Sequence, residues 1–261
     1  MHRSLLRPRW IVFHVLIAVL VVVMVSLGLW QLRRLDERQD RNTTVRERSE
    51  LAAEPVTDWL DPASDAEAVA AAEWRPLSAT GTFDDAATVL VRNRTLDGAA
   101  GYHVVTPLVL DGEAVLVNRG FIPRGTATDA PTPPPAPDGT VTVVGRARPT
   151  QERGLFGPPD PGDGTLTEAH RIDIPRLAEQ LPYPVLPAYL ELVGISPDPG
   201  AGQPVLLPLP ALDDGPHLSY AIQWFLFSVL AVVGWVLAVR HSAAKARERE
   251  RTDEPPLAAV S

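Results

Sequence analysis

Two long uncharged apolar stretches, one near each end of the chain, constrain the fold more than any other sequence feature. Residues 10–30 and 218–239 contain no Asp, Glu, Lys or Arg. A helix of about 20 residues crosses a hydrocarbon core of about 30 Å. A core helix of a soluble protein rarely has so long an apolar run without a polar face. We therefore predict transmembrane helices at residues 10–32 and 217–239.

The first stretch could instead be a cleaved signal peptide. Arg3, Arg7 and Arg9 give it a basic head, and Ser26-Leu27-Gly28 resembles a cleavage site of small residues. The apolar run is longer than the 7–15 residues usual for a signal, and this length favours a retained span.

The basic residues around the second stretch predict the orientation of the chain. Residues 197–217 contain no Lys or Arg, whereas five basic residues follow the stretch, at positions 240, 245, 247, 249 and 251. Basic residues concentrate on the cytoplasmic side, so we predict that both termini, residues 1–9 and 240–261, are cytoplasmic. Residues 33–216 then form an extracytoplasmic domain on the cell (plasma) membrane. The arginines that directly follow the first stretch do not fit this pattern and need a separate reason to face outward.

The composition of this middle segment excludes several classes of function. Residues 33–216 contain 16 basic and 28 acidic residues, so nucleic acid is not an expected partner. The chain has no Cys, which excludes disulfides, thiol nucleophiles and Cys-x-x-Cys copper carriers. No nucleophile elbow, phosphate loop or zinc-protease motif is present, so no enzyme is predicted.

Hydrophobic alternation with a period of two predicts a mainly β domain between the spans. The candidate strands are residues 75–83, 88–94, 102–110, 114–121, 140–148, 188–195 and 205–208. Asp111-Gly112 predicts a hairpin turn, and Asp173 is expected to cap a short helix. Short strands at this spacing indicate an antiparallel, barrel-like sheet in an α+β domain. Five prolines at residues 131–137 predict an extended surface loop.

Polar and aromatic side chains are concentrated where the two predicted spans leave the membrane on the outer side. On a helix, His217, Tyr220 and Trp224 lie on one stripe. These groups are typical of an interfacial aromatic belt with a capping His. They would also suit a site between the helices, with His217 as a metal or haem ligand and Arg34 as a countercharge. Gly28 would allow the two helices to approach closely.

The chain contains four ordered segments, 27–34, 101–108, 115–123 and 217–225, that together resemble the Surfeit locus protein 1 family of cytochrome oxidase assembly factors. Leu27-Gly28, Trp30-Gln31 and Arg34 match the family signature Leu-Gly-x-Trp-Gln-x-x-Arg at the end of the first span. The other three matches are Gly101-Tyr102-His103-Val104-Val105-Thr106-Pro107-Leu108, Val115-Leu116-Val117-Asn118-Arg119-Gly120-Phe121-Ile122-Pro123 and His217-Leu218-Ser219-Tyr220-Ala221-Ile222-Gln223-Trp224-Phe225. They keep the family's order and cover about residues 10–240. Phe121 departs from the Trp that the family often has.

The resemblance implies an assembly factor for the haem-copper (a-type) cytochrome c oxidase, and not an enzyme. It implies that the chain binds haem a and assists its insertion into the catalytic subunit, with His217 as the ligand of the haem iron. The other cofactor-binding candidates are Trp30, Gln31, Arg34, Tyr220 and Trp224. The implied partners are the oxidase catalytic subunit, other assembly or haem-synthesis factors and membrane lipid. The alternative is a cofactor-free membrane scaffold that holds the nascent oxidase subunit.

Overall fold

The chain forms two compact units. The computed structural model describes residues 8–125, 130–155 and 157–252, with the side chains at 246–247 and 249–252 left undescribed. One unit combines the chain up to Asn42 with the chain from Leu212 onward, and the other contains Thr43–Ala211.

The first unit contains α4 (His217–Thr252) and the part of α1 (Pro8–Ser49) up to Asn42, and the last residues of α1 belong to the second unit. Each helix has a segment that is long and apolar enough to cross a membrane, in agreement with the predicted spans. Of the residues in these apolar windows, 11% in α1 and 6% in α4 are buried, whereas a core helix would be mostly covered. α1 continues well beyond its apolar stretch, so the arginines that follow the stretch are also helical.

The second unit is built on one mixed sheet. Its strands are β1 (Glu54–Pro55), β2 (Pro76–Phe83), β3 (Val89–Leu96), β4 (Ala99–Val109), β5 (Ala114–Pro123), β6 (Thr140–Pro149), β7 (Glu168–Ala169) and β8 (Val185–Ser196). Their order across the sheet is β1-β2-β6-β8-β5-β4-β3-β7. Two short helices, α2 (Ala66–Ala72) and α3 (Ile174–Ala178), complete the unit.

The predicted antiparallel, barrel-like sheet is wrong in two respects. β5 pairs with β8 in parallel, as do β1 with β2 and β3 with β7, because long connections allow a strand to return in the same direction. The sheet is also not a closed barrel, although β2 and β4 meet at the pairs Thr82–Val109 and Phe83–Leu108. The candidate strand at 205–208 is reduced to one bridge between Val205 and Phe121.

Both faces of β5 are covered, which places this strand at the centre of the unit. Val115 and Val117 belong to a core cluster that includes residues of α2, whereas Leu116 between them belongs to a second cluster with residues of α3. Successive side chains of a strand point to opposite faces, so this alternation shows that β5 separates two cores.

Local signals in the sequence predict several details correctly. The hairpin turn lies between β4 and β5, where Gly112 has a φ of 88°. Asp173 caps α3 by accepting a hydrogen bond from the backbone N–H of Arg176 at 3.3 Å.

Residues 131–137 contain no helix or strand, as predicted, but they are held on the sheet. The buried Arg119 donates to the carbonyl oxygens of Pro134 at 3.1 Å and Pro135 at 2.7 Å, and to the side chain of Gln203 at 2.7 Å. Arg119 occupies a bulge, because Val104 pairs with Gly120 and Val105 with Asn118. The bulge directs a charged side chain into the core, where the proline segment supplies its hydrogen-bond acceptors.

Candidate functional site

One stripe of α1 contacts α4 and the residues just before it, and its chemistry changes along the helix. Met24, Gly28, Gln31, Arg38 and Asn42 are four, three, seven and four residues apart, which places them within an arc of about 80°. We call this stripe the α1 seam. Its first two residues are apolar, its third, Gln31, carries an amide, and the last two are the charged Arg38 and the polar Asn42.

The apolar part of the α1 seam packs tightly against α4. A Cβ atom built on Gly28 would lie 2.8 Å from Cε1 and Cζ of the Phe225 ring. Met24 of α1 is 6% exposed and Ala221 of α4 is 1% exposed, so both side chains are buried in this unit. The close approach expected at Gly28 is therefore present.

At the end of this apolar contact, His217 meets Gln31. His217 is the first residue of α4 and is half-buried, and its Nδ1 atom lies 2.8 Å from Oε1 of Gln31. With Oε1 of Gln31 as the acceptor, this contact matches the tautomer in which Nδ1 of His217 carries the proton and donates it. In this tautomer the lone pair is on Nε2, where it could bind a metal.

The other predicted site residues have different surroundings. Trp30 is 47% exposed and Tyr220 is 48% exposed, and no hydrogen bond or ring contact among the described residues joins either of them to His217. Trp224 is half-buried and contacts Phe227 edge to face, with ring centroids 6.2 Å apart. The guanidinium of Arg34 donates to Glu37 at 2.6 Å. Of the six candidates, the structure brings Gln31 and His217 into direct contact.

The arginines after the first apolar stretch acquire structural partners, which the sequence did not reveal. Arg34 pairs with Glu37, and Arg38 donates to the backbone oxygen of Asp213 at 3.0 Å. In the second unit, Arg48 donates to the carbonyl oxygens of Ala70 at 2.7 Å and Glu73 at 3.0 Å, at the end of α2. These contacts explain why Arg34, Arg38 and Arg48 lie where they do on α1.

The donor set at His217 suits haem better than a bare metal ion. Within the described residues, no group of three or more His, Cys, Asp or Glu side chains could hold an ion. A haem iron needs only one imidazole from the protein, so His217 alone would be enough to hold it. A lone, correctly protonated His next to apolar helix surface fits this requirement.

Two histidines of the second unit serve structural contacts. His103 on β4 is half-buried, and its Nδ1 atom lies 3.3 Å from the amide nitrogen of Asn118. Burial and the nearby charge of Arg94 lower the pKa of His103 to about 4. The Nδ1 atom of His170 lies 2.8 Å from Oδ1 of Asp160.

Comparison with known proteins identifies the family. The model of the SURF1 family matches residues 18–229. The chain belongs to the SURF1 family. An "Uncharacterized SURF1-like protein" of Mycobacterium tuberculosis is 32% identical over 254 residues, which cover 97% of this chain and 91% of the relative.

More distant members of the SURF1 family include eukaryotic proteins. A "SURF1-like protein" of Monosiga brevicollis is 29% identical over 232 residues, or 84% of each chain. Human "Surfeit locus protein 1" is 29% identical over 154 residues, which cover 52% of this chain and 49% of the human protein. The SURF1 family is known broadly as cytochrome c oxidase assembly factors and is not known as catalytic. The resemblance inferred from the four sequence segments is thus confirmed.

Proposed function

We propose that this chain is a membrane-bound assembly factor for a-type cytochrome c oxidase that binds haem a through His217. The observation that carries this proposal is the hydrogen bond of 2.8 Å between His217 and Gln31. It fixes the imidazole with its Nε2 lone pair available, at the end of an apolar helix pair.

Each part of the site has a role in this proposal. Haem, when bound, would supply an iron that takes an imidazole ligand, and Nε2 of His217 is the atom that would hold it. Gln31 holds the ring orientation and keeps the proton on Nδ1. Tyr220 and Trp224 lie on the stripe of α4 that carries His217, and Trp30 precedes Gln31 in the chain, so these three residues would supply aromatic surface to cover a flat apolar ring.

Arg34 is the candidate for binding a haem propionate. Its present partner is Glu37, and the two side chains are 54% and 61% exposed. Exposed ion pairs contribute little free energy, so exchange of Glu37 for a propionate would cost little. A propionate would accept from the planar guanidinium in the same way as the carboxylate does.

The proposal includes a location and an orientation. Both termini would lie in the cytoplasm, with the mixed-sheet unit on the outer side of the plasma membrane. The charge step across the second apolar stretch supports this orientation. The partners would be the oxidase catalytic subunit, which receives the haem, and the factors that synthesise haem or assist assembly.

The test is a visible spectrum of the purified protein from cells with and without haem a synthesis. We expect a Soret band that follows the supply of haem a, is lost in His217→Ala and is retained in His103→Ala, a matched control on β4. Gln31→Leu should weaken retention, whereas Gln31→Glu keeps an acceptor for Nδ1–H and should preserve it.

Two outcomes would contradict the proposal. If the wild-type protein carries no haem and still supports oxidase assembly, it acts as a cofactor-free scaffold that holds the nascent subunit. If His217→Ala retains full haem, the ligand lies elsewhere and His217 is a helix cap within an aromatic belt.

A further inference from the structure

The polar end of the α1 seam forms a hydrogen-bonded cluster that lies outside all four family segments. We call it the outer clamp. It consists of Arg38, Gln39 and Asn42 of α1 with Asp213 and Asp214, which precede α4. The two sides of the clamp are about 175 residues apart in the chain, so its contacts are tertiary.

The backbone oxygen of Asp213 is the centre of the outer clamp. It accepts from Nε of Arg38 at 3.0 Å and from the amide nitrogen of Asn42 at 3.1 Å. Gln39 donates to the carboxylate of Asp214 at 3.0 Å. Asn42 is 7% exposed, so its amide is held in place and largely removed from water.

The outer clamp is connected to His217 by a tight turn. The carboxylate of Asp213 accepts from the backbone N–H of Gly215 at 2.9 Å, and Gly215 has a φ of 68°. A Cβ atom on Gly215 would lie 3.4 Å from Cδ2 of His217, so the turn packs directly against the imidazole. Because Asp213 is only four residues before His217, a fixed carbonyl at Asp213 restricts where α4 can begin.

We propose that the outer clamp positions His217 against Gln31. Arg38 and Asn42 hold the chain before α4 on the same stripe of α1 that carries Gln31, and so preserve the 2.8 Å hydrogen bond that sets the tautomer. Arg38 and Asn42 are positioning residues and do not touch a ligand. The consequence for haem rests on the proposed function, whereas the consequence for the helix ends does not.

The chemistry of the outer clamp predicts which substitutions matter. The ion pair of Arg38 with the Asp213 carboxylate is 3.4 Å long, and the side chains are 38% and 61% exposed, so the charge of Asp213 contributes little. The donors to the backbone oxygen of Asp213 matter more, because they join Asp213 to α1 through two hydrogen bonds, one of them from the buried Asn42. The double variant Arg38→Gln with Asn42→Leu should therefore open the clamp, and Asp213→Asn should not.

The first readout is the distance between the two helices, which does not depend on haem. The chain has no Cys, so Arg33→Cys with Leu218→Cys introduces the only thiols for nitroxide labels. Both positions are exposed. Double electron–electron resonance on the full-length protein should give a narrow distance distribution with the clamp intact. The clamp double variant should broaden it, whereas Arg41→Gln, a matched control on an exposed arginine of the same helix, should not.

The second readout is the haem spectrum and haem retention. Haem should be lost about tenfold faster from the clamp double variant than from the wild type or from Asp213→Asn. An unchanged distance distribution in the double variant would overturn the proposal, whatever haem does. A broadened distribution with wild-type haem retention would overturn the positioning role. If no variant, including the wild type, binds haem, the proposed function fails, and the distance measurement alone decides whether the clamp orders the helix ends.

Discussion

Gly28 of α1 lies against the Phe225 ring of α4 so closely that no larger side chain fits without movement. A Cβ atom at Gly28 would be 2.8 Å from two ring atoms, whereas one at Gly234 of α4 would have no neighbour within 4 Å. Packing therefore requires a glycine at position 28 but not at position 234.

Gly28→Val should separate the helices, because overpacking a close contact costs about 1–3 kcal/mol. Gly234→Val adds the same side chain without a clash and serves as the control. Thermal unfolding of the detergent-purified protein measures the difference. Equal melting temperatures for the two variants would show that the contact of Gly28 with Phe225 does not stabilise the helix pair.

Arg119→Met should release the proline segment from the sheet. The substitution removes three hydrogen bonds and leaves the carbonyl oxygens of Pro134 and Pro135 without their donor. We expect a loss of about 3 kcal/mol in the free energy of unfolding, measured with urea, and faster proteolysis within residues 131–137. Arg153→Ala, at an exposed arginine, should change neither measurement.

Stability should fall on acidification because His103 is held neutral in the folded protein. Its pKa is about 4 when folded and 6.5 in the unfolded chain, so the unfolded state binds more protons between these values. The contribution is complete above pH 6.5 and is lost as the pH falls toward 4, which amounts to about 3 kcal/mol. His103→Gln cannot titrate, so its unfolding free energy should depend less on pH over this range. Parallel pH profiles for the two proteins would contradict the assignment.

The proposed orientation predicts the activity of reporter fusions. A reporter that functions only outside the cytoplasm should be active when inserted at Gly112, which is exposed at the β4–β5 turn. The same reporter should be inactive when fused after residue 261, because the basic residues that follow the second apolar stretch keep this end in the cytoplasm. Activity only at the C-terminal fusion would reverse the topology.

The sequence predicted the elements of the second unit better than their arrangement. Alternation identified six strands because each has at least one face that packs into a core. Alternation contains no information about strand direction, so the parallel pairing of β5 with β8 was missed. The bulge at Arg119 was also missed, because alternation alone does not show where a strand carries one residue more than its neighbour.

The sequence singled out candidate residues close to the ends of the apolar stretches, and their roles stay predictions. His217 and Gln31 were both among these candidates, but their hydrogen bond depends on how two distant helices pack. Arg34 was predicted as a countercharge for haem, and its partner in the structure is Glu37, one helical turn away. The outer clamp was not predicted, because Asp213 and Asn42 follow no motif and meet only in the folded chain.

The position of β8 sets an order in which the second unit can be completed. β5 ends at Pro123 and its parallel neighbour β8 begins at Val185, with β6 and α3 between them in the chain. At a synthesis rate of about 5–20 residues per second, the roughly 60 intervening residues take several seconds to emerge. During that interval the buried strand β5 has one unpaired edge, which is the kind of surface that aggregates or recruits a chaperone. If the unit is exported as proposed, closure of this edge must wait until the later half of the chain has also crossed the membrane.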